Sequence, residues 1–173
     1  ANGQGSSNTD GSINTTYTSV NTTAGFSIST YEGTGSAATV GHGLGVTPAM
    51  VLVKNIDASQ NWLMYHQSIG ATKYLRLNLN NGQGTSSGPW NNTAPTSSVF
   101  SIGVDGAVTG NGQTHVAYCF AEKKGYSKFG SYTGNLSTDG TFIYTGFSPS
   151  FVMTKNASIN DWWGMFDNKR IGY

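Results

Sequence analysis

Three histidines are the side chains of this sequence best suited to acid–base chemistry or metal binding near neutral pH. His42 lies in the glycine-rich stretch "GHGLG", His66 ends an apolar run, and His115 begins another. No two of them have the i, i+2 or i, i+4 spacing of a metal-ligand pair on one element. We therefore expect no metal and no catalytic histidine. We interpret His42 as a structural residue that holds a turn with Gly43 and Gly45 by bonding backbone groups.

Carboxylates are few, since Asp and Glu together number eight. Asp161 and Asp167 bracket the stretch "WWGMF" and form the one conceivable pair for glycoside hydrolysis, which needs two carboxylates facing one cleft. The favoured interpretation is that these two residues are structural, one in a turn and the other at the end of a strand. The sequence has no D-x-D-x-D-G calcium loop, and no serine close to His42 lies in a nucleophile-elbow pattern. It therefore predicts no catalytic residue and no cofactor.

Tryptophans offer a second kind of chemistry, because aromatic faces near Asn, Asp and Lys suit sugar rings. Trp62, Trp90 and Trp163 are the candidate carbohydrate-binding residues. A structural alternative stays open for two of them. If the surrounding hairpins are symmetric, Lys54 faces Trp62 and Lys155 faces Trp163, and an exposed cation–π pair is worth about 0.5–1 kcal/mol.

The elements that must position these side chains are short strands. The chain has 173 residues, of which 36% are hydrophobic, with 24 glycines and many Asn, Thr and Ser between the apolar runs. That pattern predicts one all-β domain, a β-sandwich of jelly-roll type with about eight to ten strands. The net charge of +1, with 10% charged residues and no basic stripe, argues against a nucleic-acid partner. No apolar run is long enough for a membrane span, and Cys119 is interpreted as a buried thiol.

One phrase occurs twice in the sequence. "TPAMVLVKN" at 47–55 is followed about a hundred residues later by "SPSFVMTKN" at 148–156. Six residues separate Pro48 from Lys54 and also Pro149 from Lys155, and each lysine is followed eight residues later by tryptophan. We interpret this as an internal duplication of a β-hairpin. Both prolines are placed at the first residue of a strand, where proline is tolerated.

The chain divides into an arm and a sandwich. Residues 1–24 hold almost no large apolar side chains, so we expect a flexible or partner-docked N-terminal arm or linker. Its "TTY" and "TSV" segments could form edge strands once docked. Residues 25–173 are predicted to form the β-sandwich domain, with a first half at about 25–122 and a partial second repeat at about 125–173.

Several phrases carry a resemblance to a known family. "TVGHGLGVTPAMVLVKN", "YHQSIGATKYLRLN", "HVAYCFAEKKGYSKFGSYTGN" and "DNKRIGY" occur in this order. The set resembles a domain of unassigned function that recurs in tail-fibre and virion structural proteins of marine bacteriophages, over about residues 25–173. Chains of that family usually run on past the last phrase, so the resemblance implies a fragment or a truncated second half. It implies no catalytic residues.

The expected function is that of a non-enzymatic phage virion protein. We expect a tail-fibre or appendage module exposed on the particle, in a homo-oligomer (a trimer is one option) with other virion proteins, and contributing to host attachment. The alternatives are a lectin-like module that binds host surface glycan, with the loop at 80–98 as its rim, and a secreted or surface-bound bacterial adhesin or filament subunit. A glycan-degrading enzyme is the least favoured.

Overall fold

The computed structural model describes residues 3–169, in which eleven short strands and two single-turn helices are found. The elements are β1 (Tyr17–Asn21), β2 (Phe26–Glu32), β3 (Ala38–Gly41), β4 (Met50–Asn55), β5 (Leu63–His66), β6 (Lys73–Arg76), β7 (Gly84–Thr85), α1 (Ser87–Trp90), β8 (Val99–Ile102), α2 (Gly106–Thr109), β9 (Thr114–Phe120), β10 (Phe151–Lys155) and β11 (Trp163–Asp167). Within this part of the chain, neither helix has the length or apolarity to cross a membrane.

Seven strands form one antiparallel sheet in the order β1-β2-β9-β4-β5-β6-β7. β4 lies at its centre, and Met50 to Val53 are all buried, as is usual for a strand with apolar residues on both faces. β9 comes from much later in the chain and lies between β2 and β4. The centre of the sheet therefore depends on a pairing between residues more than fifty positions apart.

A second layer covers one face of this sheet. It consists of the β3–β8 pair with the two short helices, and its side chains share one core with β4, β5 and β9. Val40, Phe100 and Ile102 come from the small sheet, and Val51 and Val53 come from β4. The predicted all-β sandwich is confirmed.

The first 24 residues, described from residue 3 onward, pack on the chain's own sheet. Ile13 is buried in the main core and forms a bridge to β3, and β1 pairs with β2 along five residues. Hydroxyl groups link Thr15 to Thr18 at 2.9 Å and Thr18 to Ser29 at 3.0 Å in a buried chain. The prediction of a flexible or partner-docked arm at residues 1–24 is therefore wrong for the described part. This segment has few large apolar side chains, and hydrogen bonds of its threonines and backbone stabilise its packing in their place.

The two copies of the repeated phrase fold as equivalent hairpins. In the first, Met50 pairs with His66, and in the second Phe151 pairs with Asp167, so partners in the two hairpins differ in number by 101. The same offset holds for every pair of the shorter ladder. The predicted duplication of the β-hairpin is confirmed at the level of strand register.

The turns of the two hairpins are equivalent as well. Asn55 Oδ1 accepts from the backbone N–H groups two and three residues ahead, at 3.0 and 3.1 Å. Asn156 Oδ1 accepts from the corresponding groups at 3.0 and 3.3 Å. An asparagine directly after the strand lysine thus starts both turns in the same way.

Candidate functional site

His42 holds a loop in the structure. Its side chain is fully buried, and Nδ1 accepts from the N–H of Leu44 at 3.2 Å. We therefore assign the proton to Nε2, which donates to the carbonyl of Thr96 at 3.2 Å. Gly43 and Gly45 have φ values of 69° and 71°, the left-handed region that glycine favours. Both ring nitrogens are engaged by backbone, which is the geometry of a structural residue.

His115 holds α2 against the sheet. It is fully buried, its Nδ1 lies 2.9 Å from the carbonyl of Gln113, and its Nε2 accepts from the N–H of Gly110 at 3.2 Å. The imidazole stacks on Tyr31 with ring centroids 5.2 Å apart. Beside it, Asn55 Nδ2 donates to the first carbonyl of α2 at 2.9 Å and to Gln113 Oε1 at 2.7 Å. This polar cluster fastens loop, helix and sheet together.

Neither a metal site nor a carboxylate pair is built from these groups. Residues 3–169 contain no group of three or more His, Cys, Asp or Glu side chains that could hold a metal ion. Asp161 precedes β11 and Asp167 ends it, so the four residue steps from Trp163 to Asp167, about 13 Å of extended backbone, separate them. Carboxylates of glycosidases lie about 5–9.5 Å apart across one bond. The structure does not bring this pair together.

Acidification should destabilise the fold in a defined pH window. Burial lowers the pKa of His42, His66 and His115 in the folded chain. Below about pH 6.5 these histidines therefore bind protons more readily in the unfolded chain than in the folded chain. Stability is therefore full above that pH and falls as pH drops toward the folded pKa values, by up to about 1.4 kcal/mol per pH unit for each histidine. The lowered pKa of Asp57 acts only below about pH 4. We expect a lower urea midpoint at pH 5.0 than at pH 7.5 and a smaller difference in H42Q; equal midpoints would contradict this.

Trp90 is not a sugar platform. Its side chain is 2% exposed and meets Tyr65 edge-on, with ring centroids 6.2 Å apart. α1 places it there: Ser86 caps the single turn, and Asn91 ends it with a φ of 49°. The prediction of Trp90 as a binding residue is wrong, because the loop at 80–98 is ordered by an indole that fills the core.

Trp163 anchors the second hairpin to the first half. Its Nε1 donates to the carbonyls of Arg76 and Leu79, both at 3.2 Å. Together with Met153 and Ala157 it packs on the apolar cluster of the main sheet's outer face. Further backbone bonds join the hairpin's turn to the segment at 80–83, at 2.7 and 2.8 Å. The half-buried indole thus acts as a wedge in this interface.

The strand lysines bond carbonyls instead of indoles. Lys155 does pair with Trp163 in the ladder, but its Nζ donates to two backbone carbonyls at 2.7 and 3.3 Å. Lys54 likewise donates to two carbonyls of its own turn. Among residues 3–169, the cation–π contact that forms is Arg76 over Tyr74, at 4.8 Å. The predicted lysine–tryptophan pairs are therefore replaced by hydrogen bonds that order the turns.

An aromatic row lies on the outer face of the main sheet. Trp62 and Tyr118 have centroids 6.3 Å apart with planes at 23°, and Tyr118 and Phe26 lie 6.5 Å apart at 15°. All three are half-buried. Beyond Phe26 the row borders an open groove of about 400 Å³ that Phe120 and Phe129 help to line. Sequence reasoning named only Trp62 of this row, although the alternation in "FSISTY" and "HVAYCF" marks the other two as facing one side.

The second hairpin exposes a face that the first hairpin buries. Val51 is fully buried, whereas its counterpart Val152 is 38% exposed; Tyr65 is 5% exposed and its counterpart Phe166 is 64% exposed. In the first half this face is covered by β3, β8 and the helices. No such layer covers the second hairpin within residues 3–169, and β10 and β11 form a sheet of two strands only.

Comparison with known proteins places the chain in a family of unassigned function. A family described as "Domain of unknown function (DUF7483)" matches residues 1–173. No curated protein and no solved structure matches the chain.

Proposed function

We propose that this chain, which belongs to the DUF7483 family of domains of unknown function, is a non-enzymatic structural module that joins an assembly through its second hairpin. The contrast between equivalent positions carries the proposal, since Phe166 is 64% exposed where Tyr65 is 5% exposed. Burying such apolar surface is favourable, at roughly 25 cal/mol per Å². A neighbouring subunit that covers this face gains that free energy.

The setting that we propose is a tail fibre or related appendage of a bacteriophage particle, with further copies and other virion proteins as partners. Support comes from the order of phrases over residues 25–173 and from the low charge of the chain. His42 and His115 are buried and their ring nitrogens bond backbone groups, which also favours a structural module. A bacterial adhesin or filament subunit is the alternative with the same physics.

Two measurements test this function. Sedimentation of the purified chain should show association that increases with concentration, and a monomer at every concentration would contradict the assembly role. Antibodies against the chain, viewed by electron microscopy on infected cultures, should label appendages of phage particles. Labelling confined to bacterial surfaces would overturn the virion setting in favour of the adhesin.

The aromatic row supports a second candidate, a lectin-like contribution to host attachment. Half-buried rings at Trp62, Tyr118 and Phe26 present nearly parallel planes on one face, and aromatic faces suit sugar rings. On a glycan array, W62A should lose binding that W162A keeps, because Trp162 is 76% exposed and lies outside the row. An array without any binding by the unaltered chain would remove this candidate.

A further inference from the structure

We propose that the outer edge of β10 accepts an extended β-strand from an assembly partner, in the antiparallel arrangement in which β4 holds β9. The inference rests on the proposed assembly function and names the contact through which it operates. Strand addition to an exposed sheet edge is a common mode of peptide recognition, because main-chain hydrogen bonds supply affinity and alternate side chains supply specificity.

The internal repeat identifies the edge. In the first half β4 lies between β5 and β9, with Val51 opposite Cys119 and Val53 opposite Ala117. β10 is the register equivalent of β4, and β11 is the equivalent of β5. The side of β10 that corresponds to the β9 interface has no strand within residues 3–169. The open edge is thus equivalent to an interface that the same molecule already forms once.

The backbone N–H and C=O groups along the outer edge of β10 are oriented for pairing with another strand. The carbonyl of Ser150 accepts from the N–H of Asn168 at 3.1 Å, on the β11 side. Because residues of an antiparallel strand bond alternately to the two sides, Val152 and Thr154 also bond to β11. The N–H and C=O groups of Phe151, Met153 and Lys155 therefore point to the open edge.

Both outer edges of the seven-stranded sheet are blunted. The outer side of β1 is joined by the Ser6–Thr18 bridge, and β7 is only two residues long. β10 instead presents five residues, and its first side chain, Phe151, is 56% exposed. Long apolar edges are templates for pairing with another chain unless they are protected. This contrast favours β10 over the edges of the main sheet. Equivalence to β4, which pairs with β9 over six residues whereas β5 pairs with β6 over two, favours it over β11.

The chemistry of β9 describes the partner. β9 places small side chains, Ala117 and Cys119, toward the core and aromatic ones, Tyr118 and Phe120, on the other side. A strand with the same alternation fits β10, since small residues leave room beside the exposed Val152. The edge also favours a neutral strand, because the ammonium of its lysine already bonds carbonyls.

The probe is a synthetic peptide of residues 112–122 with Cys119→Ser, added to the full chain. Hydrogen exchange followed by mass spectrometry should show at least tenfold slower exchange in the segment at 151–155 at saturating peptide. The β9 N–H groups that face β4 belong to the even-numbered residues, since the N–H of Ile56 donates to the carbonyl of Thr114. N-methylation of the peptide at Val116 and Tyr118 should therefore abolish protection.

Matched controls keep the result specific. N-methylation of the peptide at His115 and Ala117, on the side that faces β2 in the first half, should leave protection intact. In the protein, F151P should lose protection and F151A should keep the edge amide and retain it. Proline is tolerated at the first residue of a strand, and the bonds of Val152 and Thr154 to β11 are retained.

The outcomes separate the inference from the function. Protection at 151–155 that follows the methylation pattern supports strand addition. Protection elsewhere, or protection that ignores the pattern, overturns it. If protection is absent while the chain still associates in sedimentation, assembly stands and β10 is not its contact. A monomeric chain without protection overturns both.

Discussion

Trp90→Ala should lower the free energy of unfolding by about 4 kcal/mol, near the upper end of the effect of a buried large-to-small substitution. The indole is 2% exposed and belongs to the main core, where it meets Tyr65 and fixes α1 against β8. Removing it leaves a cavity that the surrounding strands cannot close without losing their register. Urea denaturation followed by circular dichroism measures the change.

Trp162 supplies the matched control, because the same substitution there removes the same atoms from a side chain that is 76% exposed. W162A should shift the free energy of unfolding by no more than about 0.5 kcal/mol. Equal losses in the two variants would show that Trp90 does not fill the core as described. W90F should lose less than W90A, since the ring is largely kept and the indole N–H, which bonds no protein group, is removed.

Asn55→Ala should lower the free energy of unfolding by about 3 kcal/mol. Asn55 is fully buried and makes four hydrogen bonds, two through Oδ1 to its own turn and two through Nδ2 to α2 and Gln113. Alanine removes all four bonds from partner groups that are partly buried or exposed, and each such hydrogen bond contributes about 0.5–1.5 kcal/mol. Partial relaxation of the turn toward water keeps the total below the sum.

The repeat provides the control for this prediction. Asn156 makes the same two Oδ1 bonds in the second hairpin but is exposed. Water can replace those bonds, so N156A should cost no more than about 1 kcal/mol. A loss in N156A as large as that in N55A would show that turn formation, and not burial, sets the cost.

The repeat shows that the same local structure can be buried in one copy and exposed in the other. Ladders of the same register form in both hairpins because register follows from the turn asparagine and the strand pattern. Burial does not follow from these local features, since it depends on the strands and helices that cover the hairpin. Val51 and Val152 have the same residue type and the same register and differ from 0% to 38% in exposure. The second hairpin is therefore the copy on which we propose that a partner packs.

Local patterns determined much of this protein. Alternation and turn residues indicated the all-β class, and apolar residues on both faces placed β4 inside the sheet. Repeated spacing indicated the two hairpins. These features were readable because each strand and each hairpin is formed by residues that lie close together in the chain, so that its pattern is complete within a short stretch.

Tertiary structure alone decided the rest. The arm before residue 25 folds because its hydroxyls reach Ser29 and its Ile13 reaches the core, and composition reports no such contacts. Trp90 looked like a loop residue and fills the interior, because α1 turns it inward. In each case the stabilising contacts join residues that are far apart in the sequence. Such contacts form only when the whole chain is folded.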